Sequence, residues 1–281
     1  LLTLIIGLVI GVFLVQSGQV FFLRAAPEIS PSQVKITNLT SNSFSVSWLT
    51  EKETNGFVKF GEASSLEQTA LDDRDQMTGK NGSFVTHHVT VKNLKPKTRY
   101  LFKIGSGGKI FDNAGQPYET TIAATITNPP PPSDVVSGTI LEPDGNPAEE
   151  AIVYLTLANT TPQSTLVRSG GNWFIPLNTS YSTNLAGFAQ YDKEAQIEEI
   201  FVQGRKGETA TVLTTTGNDN PVPEIILGKT YDFRQKAAEE QLTPTPTPTL
   251  GGSRFSFPTP SPRTETELSI SNPAKEGEDL N

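Results

Sequence analysis

The fold class expected of this chain is all-β. Two tandem β-sandwiches stand behind an N-terminal transmembrane helix, and a Pro/Thr-rich disordered tail follows them. Three observations predict this. Residues 43–48 alternate Ser-Phe-Ser-Val-Ser-Trp, a strand with one apolar and one polar face. The run Leu94-Lys95-Pro96-Lys97-Thr98-Arg99-Tyr100 brings a Tyr to the start of a later strand. A buried Trp on one strand and a corner Tyr on another mark a sandwich. A second series of alternating segments then begins beyond Asn128-Pro129-Pro130-Pro131-Pro132-Ser133.

Composition bounds the rest. The 281 residues leave room for about two domains. Hydrophobic residues make up 35% of the chain, and 23 Gly and 21 Pro accompany them, so part of it is expected to be linker or tail. There are 0 Cys, which excludes disulfides and thiolate metal sites. A net charge of −8 supplies no basic stripe for displacing counterions, so no nucleic-acid partner is expected.

Residues 1–23 are read as a transmembrane signal anchor, with the lipid membrane as partner. The segment LLTLIIGLVIGVFLV carries no charge, apolar character resumes at Val20-Phe21-Phe22-Leu23, and Arg24 is the first charge. Twenty-three uncharged residues at ~1.5 Å each can cross a ~30 Å hydrocarbon core. Leu1–Val15 alone also suits the core of a cleaved signal. Cleavage after Ala26 would place Arg24 at minus three and Pro27 just past the cut. A buried core helix is the third option, disfavoured because no polar face is marked. The β domains are accordingly expected outside the cytoplasm, on a single-pass anchor in the cell membrane. The sequence does not open with Met, so no positive flank is available for an orientation argument.

The first domain is placed at 32–128. Val58 and Phe60 repeat the strand pattern, Val89 and Val91 alternate with His88 and Thr90, and Tyr100, Phe102 and Ile104 follow. Asn113-Ala114-Gly115 reads as a turn and Thr120–Thr127 as the last strand. With Trp48 and Leu94-x-Pro96-x-Thr98-x-Tyr100, this set resembles a fibronectin type III domain. It is more similar still to the N-terminal sandwich domain of purple acid phosphatases, where a strand like Thr86-His87-His88-Val89-Thr90-Val91 leads into the corner Tyr. In that family the catalytic metals belong to a separate downstream domain.

Candidate chemistry is sparse. His87 and His88 are adjacent on a strand and so point to opposite faces, where they cannot share a metal. The chain has 2 His in all, too few for a zinc or iron set. Asp73-x-Asp75 begins like a calcium loop, but Met77 takes the next ligand position, so Leu71–Asp75 reads as a solvated loop. Gly217-Asn218-Asp219-Asn220 lacks the His of a metallophosphatase block and reads as a polar turn. Asn38, Asn81, Asn159 and Asn178 head the short Asn-x-Ser/Thr pattern, which matters only in a glycosylating pathway. Hence no catalytic residue, no metal ligand and no cofactor are expected, and the chain is not expected to be an enzyme.

Residues 129–134 are read as a stiff Pro-rich linker. In the second domain, at 135–228, Gly138-Thr139-Ile140, Asp144-Gly145-x-Pro147, Ala151-x-Val153 and Gly171-x-Trp173-x-Ile175 follow one another. That order resembles a carboxypeptidase-regulatory or Cna-B sandwich, a non-catalytic module frequent in bacterial surface proteins. Val135–Leu141 contains no Lys, so the isopeptide crosslink of some Cna-B domains is not implied. Phe233–Gln241 is expected to form a short helix. Residues 241–281, opening on a Thr-Pro tract, are expected to be linker and disordered tail.

Three functions fit. The first is a membrane-anchored extracellular stalk or adhesion module, non-catalytic, with Pro-rich segments setting the spacing. The second is the accessory part of a purple-acid-phosphatase-like metallophosphatase. The third is a pilin-like filament subunit, against which stands the lack of an acidic residue before Glu28.

Overall fold

A computed structural model describes residues 27–234. The transmembrane segment expected at 1–23 and the tail expected at 241–281 lie outside the described residues. Among those described, no helix is long and apolar enough to cross a membrane.

The first sandwich comprises β1 (Ser32–Thr37), β2 (Phe44–Thr54), β3 (Gly56–Gly61), β4 (Gln68–Leu71), α1 (Asp73–Thr78), β5 (Phe84–Val91), β6 (Arg99–Ser106), β7 (Lys109–Phe111) and β8 (Tyr118–Thr121). One sheet has the order β1-β2-β5; the other has β4-β3-β6-β7, with β8 pairing β6. Phe44, Val46 and Trp48 of β2 point inward to meet Val58, Val89, Phe102 and Ile104, all wholly buried. The corner forms as its sequence predicts: Lys95 N–H donates to the Tyr100 hydroxyl at 3.1 Å.

Trp48 lies across from His87 in the β2–β5 register, and their rings stack at 4.7 Å between centroids. A Cβ at Gly56 would stand 2.2 Å from His87 Nδ1 and 2.8 Å from Trp48 Cζ2, so only glycine lets β3 pass this stack.

The last strand ends at Thr121 rather than Thr127. Ile122 N–H donates to Thr98 O and Ala123 N–H to Thr40 O, so the backbone there binds two loops instead of a ladder. The acidic run 72–75 is not a solvated loop either. Asp72 caps α1, its carboxylate accepting from Arg74 N–H at 3.1 Å, and Gly79 closes the helix at φ 68°.

The second sandwich comprises β9 (Val135–Leu141), β10 (Ile152–Leu157), β11 (Gln163–Leu166), β12 (Asn172–Pro176), β13 (Ile197–Gln203), β14 (Thr209–Thr215), β15 (Ile225–Ile226) and β16 (Thr230–Asp232). Its sheets are β12-β9-β15 and β11-β10-β13-β14-β16. Val136, Ile140, Val153, Leu155, Trp173, Ile200 and Val212 fill the space between them. Phe233 and Arg234 follow β16 without helical structure, and the rest of the expected helix lies outside the described residues.

The Pro-rich segment is not a free spacer. Pro131 O accepts from Asn178 Nδ2 at 3.0 Å and Asp134 O from Leu177 N–H at 2.9 Å, which lays it along the second sandwich. The two sandwiches touch directly, through the polar face of β1-β2-β5.

Candidate functional site

In an isolated sandwich, the alternation that buries Phe44, Val46 and Trp48 would leave Ser45 and Ser47 in water. Here Ser45, Ser47 and Thr86 are wholly buried and His88 nearly so, because β10 and β11 cover them. Such a surface is stable only if its polar groups are matched. Ser47 Oγ and Tyr154 Oη lie 2.9 Å apart, and Thr86 donates to Glu150 O at 2.8 Å. Asn38 donates to Ser164 O at 2.9 Å and accepts from Ser164 N–H at 2.8 Å. Asn38 N–H also donates to Pro162 O at 3.0 Å. Lys35 Nζ sits 3.9 Å over the Tyr154 ring, and burial holds its pKa below the ordinary value.

At one end of this interface stands a relay. Asp73, in the first turn of α1, lies 2.7 Å from His88 Nδ1 through Oδ2. His88 Nε2 is 2.8 Å from Ser164 Oγ, and Thr37 Oγ1 is 2.5 Å from that same oxygen. Asp73 is fixed by Thr90, whose N–H and hydroxyl each donate to it at 2.7 Å. Burial raises the Asp73 carboxyl, but the His88 bond and charge, with the Thr90 bonds, outweigh it and hold the pKa below the usual carboxylate value. Asp73 is therefore ionised and can only accept. Nδ1 then carries the imidazole proton, Nε2 accepts from Ser164, and Ser164 accepts from Thr37. The hydrogen bonds run in one direction from Thr37 to the carboxylate.

The relay borders a cleft of about 780 Å³ between the sandwiches, lined by Arg74, Lys92, Glu149, Ser164 and Arg168 among others. Arg74 pairs with Asp72 at 2.8 Å and lies 3.7 Å from Glu150 across the interface.

His87 and His88 point to opposite faces, as expected of neighbours on a strand. His87 is sealed in the core, where burial pushes its pKa down to about 4. His88 reaches the interface. Asp75 is spent on the Gly82 N–H, and burial raises its carboxyl. Among the described residues, no three His, Cys, Asp or Glu are placed to hold a metal ion. The amides of Asn38 and Asn178 are engaged in hydrogen bonds. Gly217–Asn220 is a turn, yet Asp219 within it is buried beside Glu198.

The sequence gives no sign of the relay. Asp73, His88 and Ser164 are far apart along the chain and come from two sandwiches. Ser164 lies on a strand too polar to read as one. The only trace is a run of small hydroxyl residues, Ser43, Ser45 and Ser47, on a face that proves to be covered.

No curated protein matches the chain. Among solved structures, the sensor domain of the anti-sigma factor RsgI4 in Pseudobacteroides cellulosolvens is 19% identical, over 36% of this chain and 100% of that one, at a TM-score of 0.26. Chicken CNTN1 FN1-FN3 domains are 12% identical over 74% of this chain and 68% of theirs, at 0.24. Purple acid phosphatase PPD1 from yellow lupin (Lupinus luteus) seeds is 18% identical over 42% of this chain, at 0.25, and the chain spans 23% of its length. Residues 31–122, which include β1 to β8, Trp48 and the Tyr100 corner, match the family model for the N-terminal domain of purple acid phosphatase.

Proposed function

We propose that the chain is a membrane-anchored protein whose two β domains stand outside the cytoplasm and act as one rigid structural or binding module. The observation that carries this is the buried polar interface. Ser47–Tyr154, Thr86–Glu150 and Asn38–Ser164 tie the sandwiches at several points along one sheet face, so the module has a fixed shape rather than a hinge. The 1–23 segment supports the anchor by length and by its lack of charge. The second sandwich is read as a carboxypeptidase-regulatory or Cna-B-like module, supported by the motif order and by Gly138, whose bare Cα lets Trp173 lie on β9. In fractionated membranes the full chain is expected to remain in the pellet after an alkaline wash and to dissolve only in detergent. Release by alkali alone would remove the anchor from this reading.

The family match over residues 31–122 favours a second reading, the accessory part of a purple-acid-phosphatase-like enzyme. On that reading, phosphomonoester turnover with added iron, zinc or manganese is expected only in company with a metal-binding partner. Phosphomonoester turnover by this chain alone would count against both readings.

A further inference from the structure

The relay has more in it than an interdomain tie needs. Any pair of matched groups would hold the sandwiches together. What stands here is a carboxylate, an imidazole and a primary hydroxyl in line, at 2.7 and 2.8 Å, on the wall of an open cleft. From this geometry we propose that Ser164 is an activated nucleophile and that the cleft takes a small carboxylic ester, forming an acyl-Ser164 intermediate. This goes beyond the role of a structural module and does not depend on the anchor.

The roles follow from the bond directions. Asp73 holds Nδ1–H and so fixes the tautomer that leaves Nε2 free to take a proton. Ser164 Oγ bonds to the ester carbon as its proton passes to His88 Nε2. The carbonyl π pair moves onto oxygen and returns to expel the alkoxide, which leaves as the alcohol with the His88 proton. Water then repeats the sequence: its proton goes to His88, its oxygen bonds to the acyl carbon, and Ser164 Oγ leaves and recovers the proton. The net change is ester plus water to acid plus alcohol. Asn38 Nδ2 donates to Ser164 O at 2.9 Å and to Ser45 Oγ at 3.0 Å, which fixes the backbone that carries the nucleophile. The cleft volume is that of a small-molecule site, and Met77, Leu166 and Val167 give it apolar wall beside the charged groups.

The test uses the full chain in detergent and a fluorophosphonate probe, with the modified residue located by peptide mass spectrometry. The folded wild type is expected to carry one label, on Ser164, and heat-denatured protein none there. Asp73→Asn, which keeps the side-chain shape but not the charge, is expected to slow labelling at least tenfold. Ser47→Ala, which loosens the same interface away from the relay, is expected to leave it within about threefold. Folded wild type without label on Ser164 overturns the proposal, and the relay is then a clamp alone. An equal loss in Ser47→Ala and Asp73→Asn overturns it as well, because labelling would then follow interface stability.

Discussion

Replacing His88 by Ala is expected to cost about 3 kcal/mol and to divide one unfolding transition into two. The size follows from what is left behind. Asp73 keeps its two Thr90 bonds and Ser164 keeps Thr37, but each loses its bond to the imidazole, worth about 1.5–3 kcal/mol to the carboxylate and about 0.5–1.5 kcal/mol to the hydroxyl. Ser164→Ala alone is expected to cost less, about 1–2 kcal/mol, since the hydroxyl leaves with its own desolvation and His88 keeps Asp73. The double variant should then be more stable than the sum of the singles predicts, by about 1–2 kcal/mol, because the two side chains share one bond. Calorimetry supplies the second readout. With the interface intact, neither sandwich unfolds without exposing the polar face of the other, so the wild type should melt once. In His88→Ala that coupling weakens and the sandwiches melt apart. Additivity within about 0.5 kcal/mol, or a wild type that already melts in two steps, would show that the interface does not join the sandwiches energetically.

What the sequence disclosed and what it did not divide along a physical line. Each sandwich closes its own core with a period-2 pattern, and that pattern is local, so the strands around Trp48, Val89, Phe102, Val153 and Trp173 were legible. The Tyr100 corner is a bond over five residues and was legible for the same reason. The interface is built otherwise. Its residues lie on the faces that alternation assigns to water, and nothing in Ser45, Ser47 or Thr86 tells a solvated hydroxyl from one matched by a second domain. Pro129–Pro132 also misled, since polyproline stiffness implies reach, whereas Asn178 and Leu177 bind this segment back onto the second sandwich. The acidic run at 72–75 failed for a related reason. It is exposed by composition, but Asp72 is buried by the hydrogen bonds it accepts from Arg74 and His88 N–H. The relay combines two of these features, a covered face and an acidic helix start.

A second large effect is expected from pH, and its sign is opposite to ordinary acid lability. Glu198 on β13 is wholly buried, and the group it meets there is the carboxyl of Asp219, itself buried. Burial, then the charges of Asp219 and Asp134, push its pKa up to about 8. Burial raises Asp219 too. Tyr191 donates to Asp134 at 2.9 Å, and Lys193 lies 3.9 Å from the same carboxylate, too far to neutralise the group. A carboxyl raised in the folded state keeps its proton when the unfolded chain has lost it, so the folded state binds more protons and stability falls as pH rises. His87 opposes this at lower pH: burial holds it down to about 4, so the unfolded chain takes up a proton that the folded one refuses, and stability drops on acidification below about 6.5. Above that value His87 is neutral in both states and the carboxyls act alone. Between pH 6.5 and 8 one proton of difference is worth about 1.4 kcal/mol per pH unit, so the wild type should lose about 2 kcal/mol. For a chain of this size that is a fall in Tm of about 4–8 °C. Glu198→Gln carries the neutral shape at every pH and should flatten most of the decline, melting higher than the wild type at pH 8 and close to it at pH 6. Thermal unfolding followed by circular dichroism across this range decides the matter: a wild-type Tm that holds or rises from pH 6.5 to 8 would mean that Glu198 is already ionised in the fold, and that its buried oxygens are matched by a partner which no side chain of the acidic group provides.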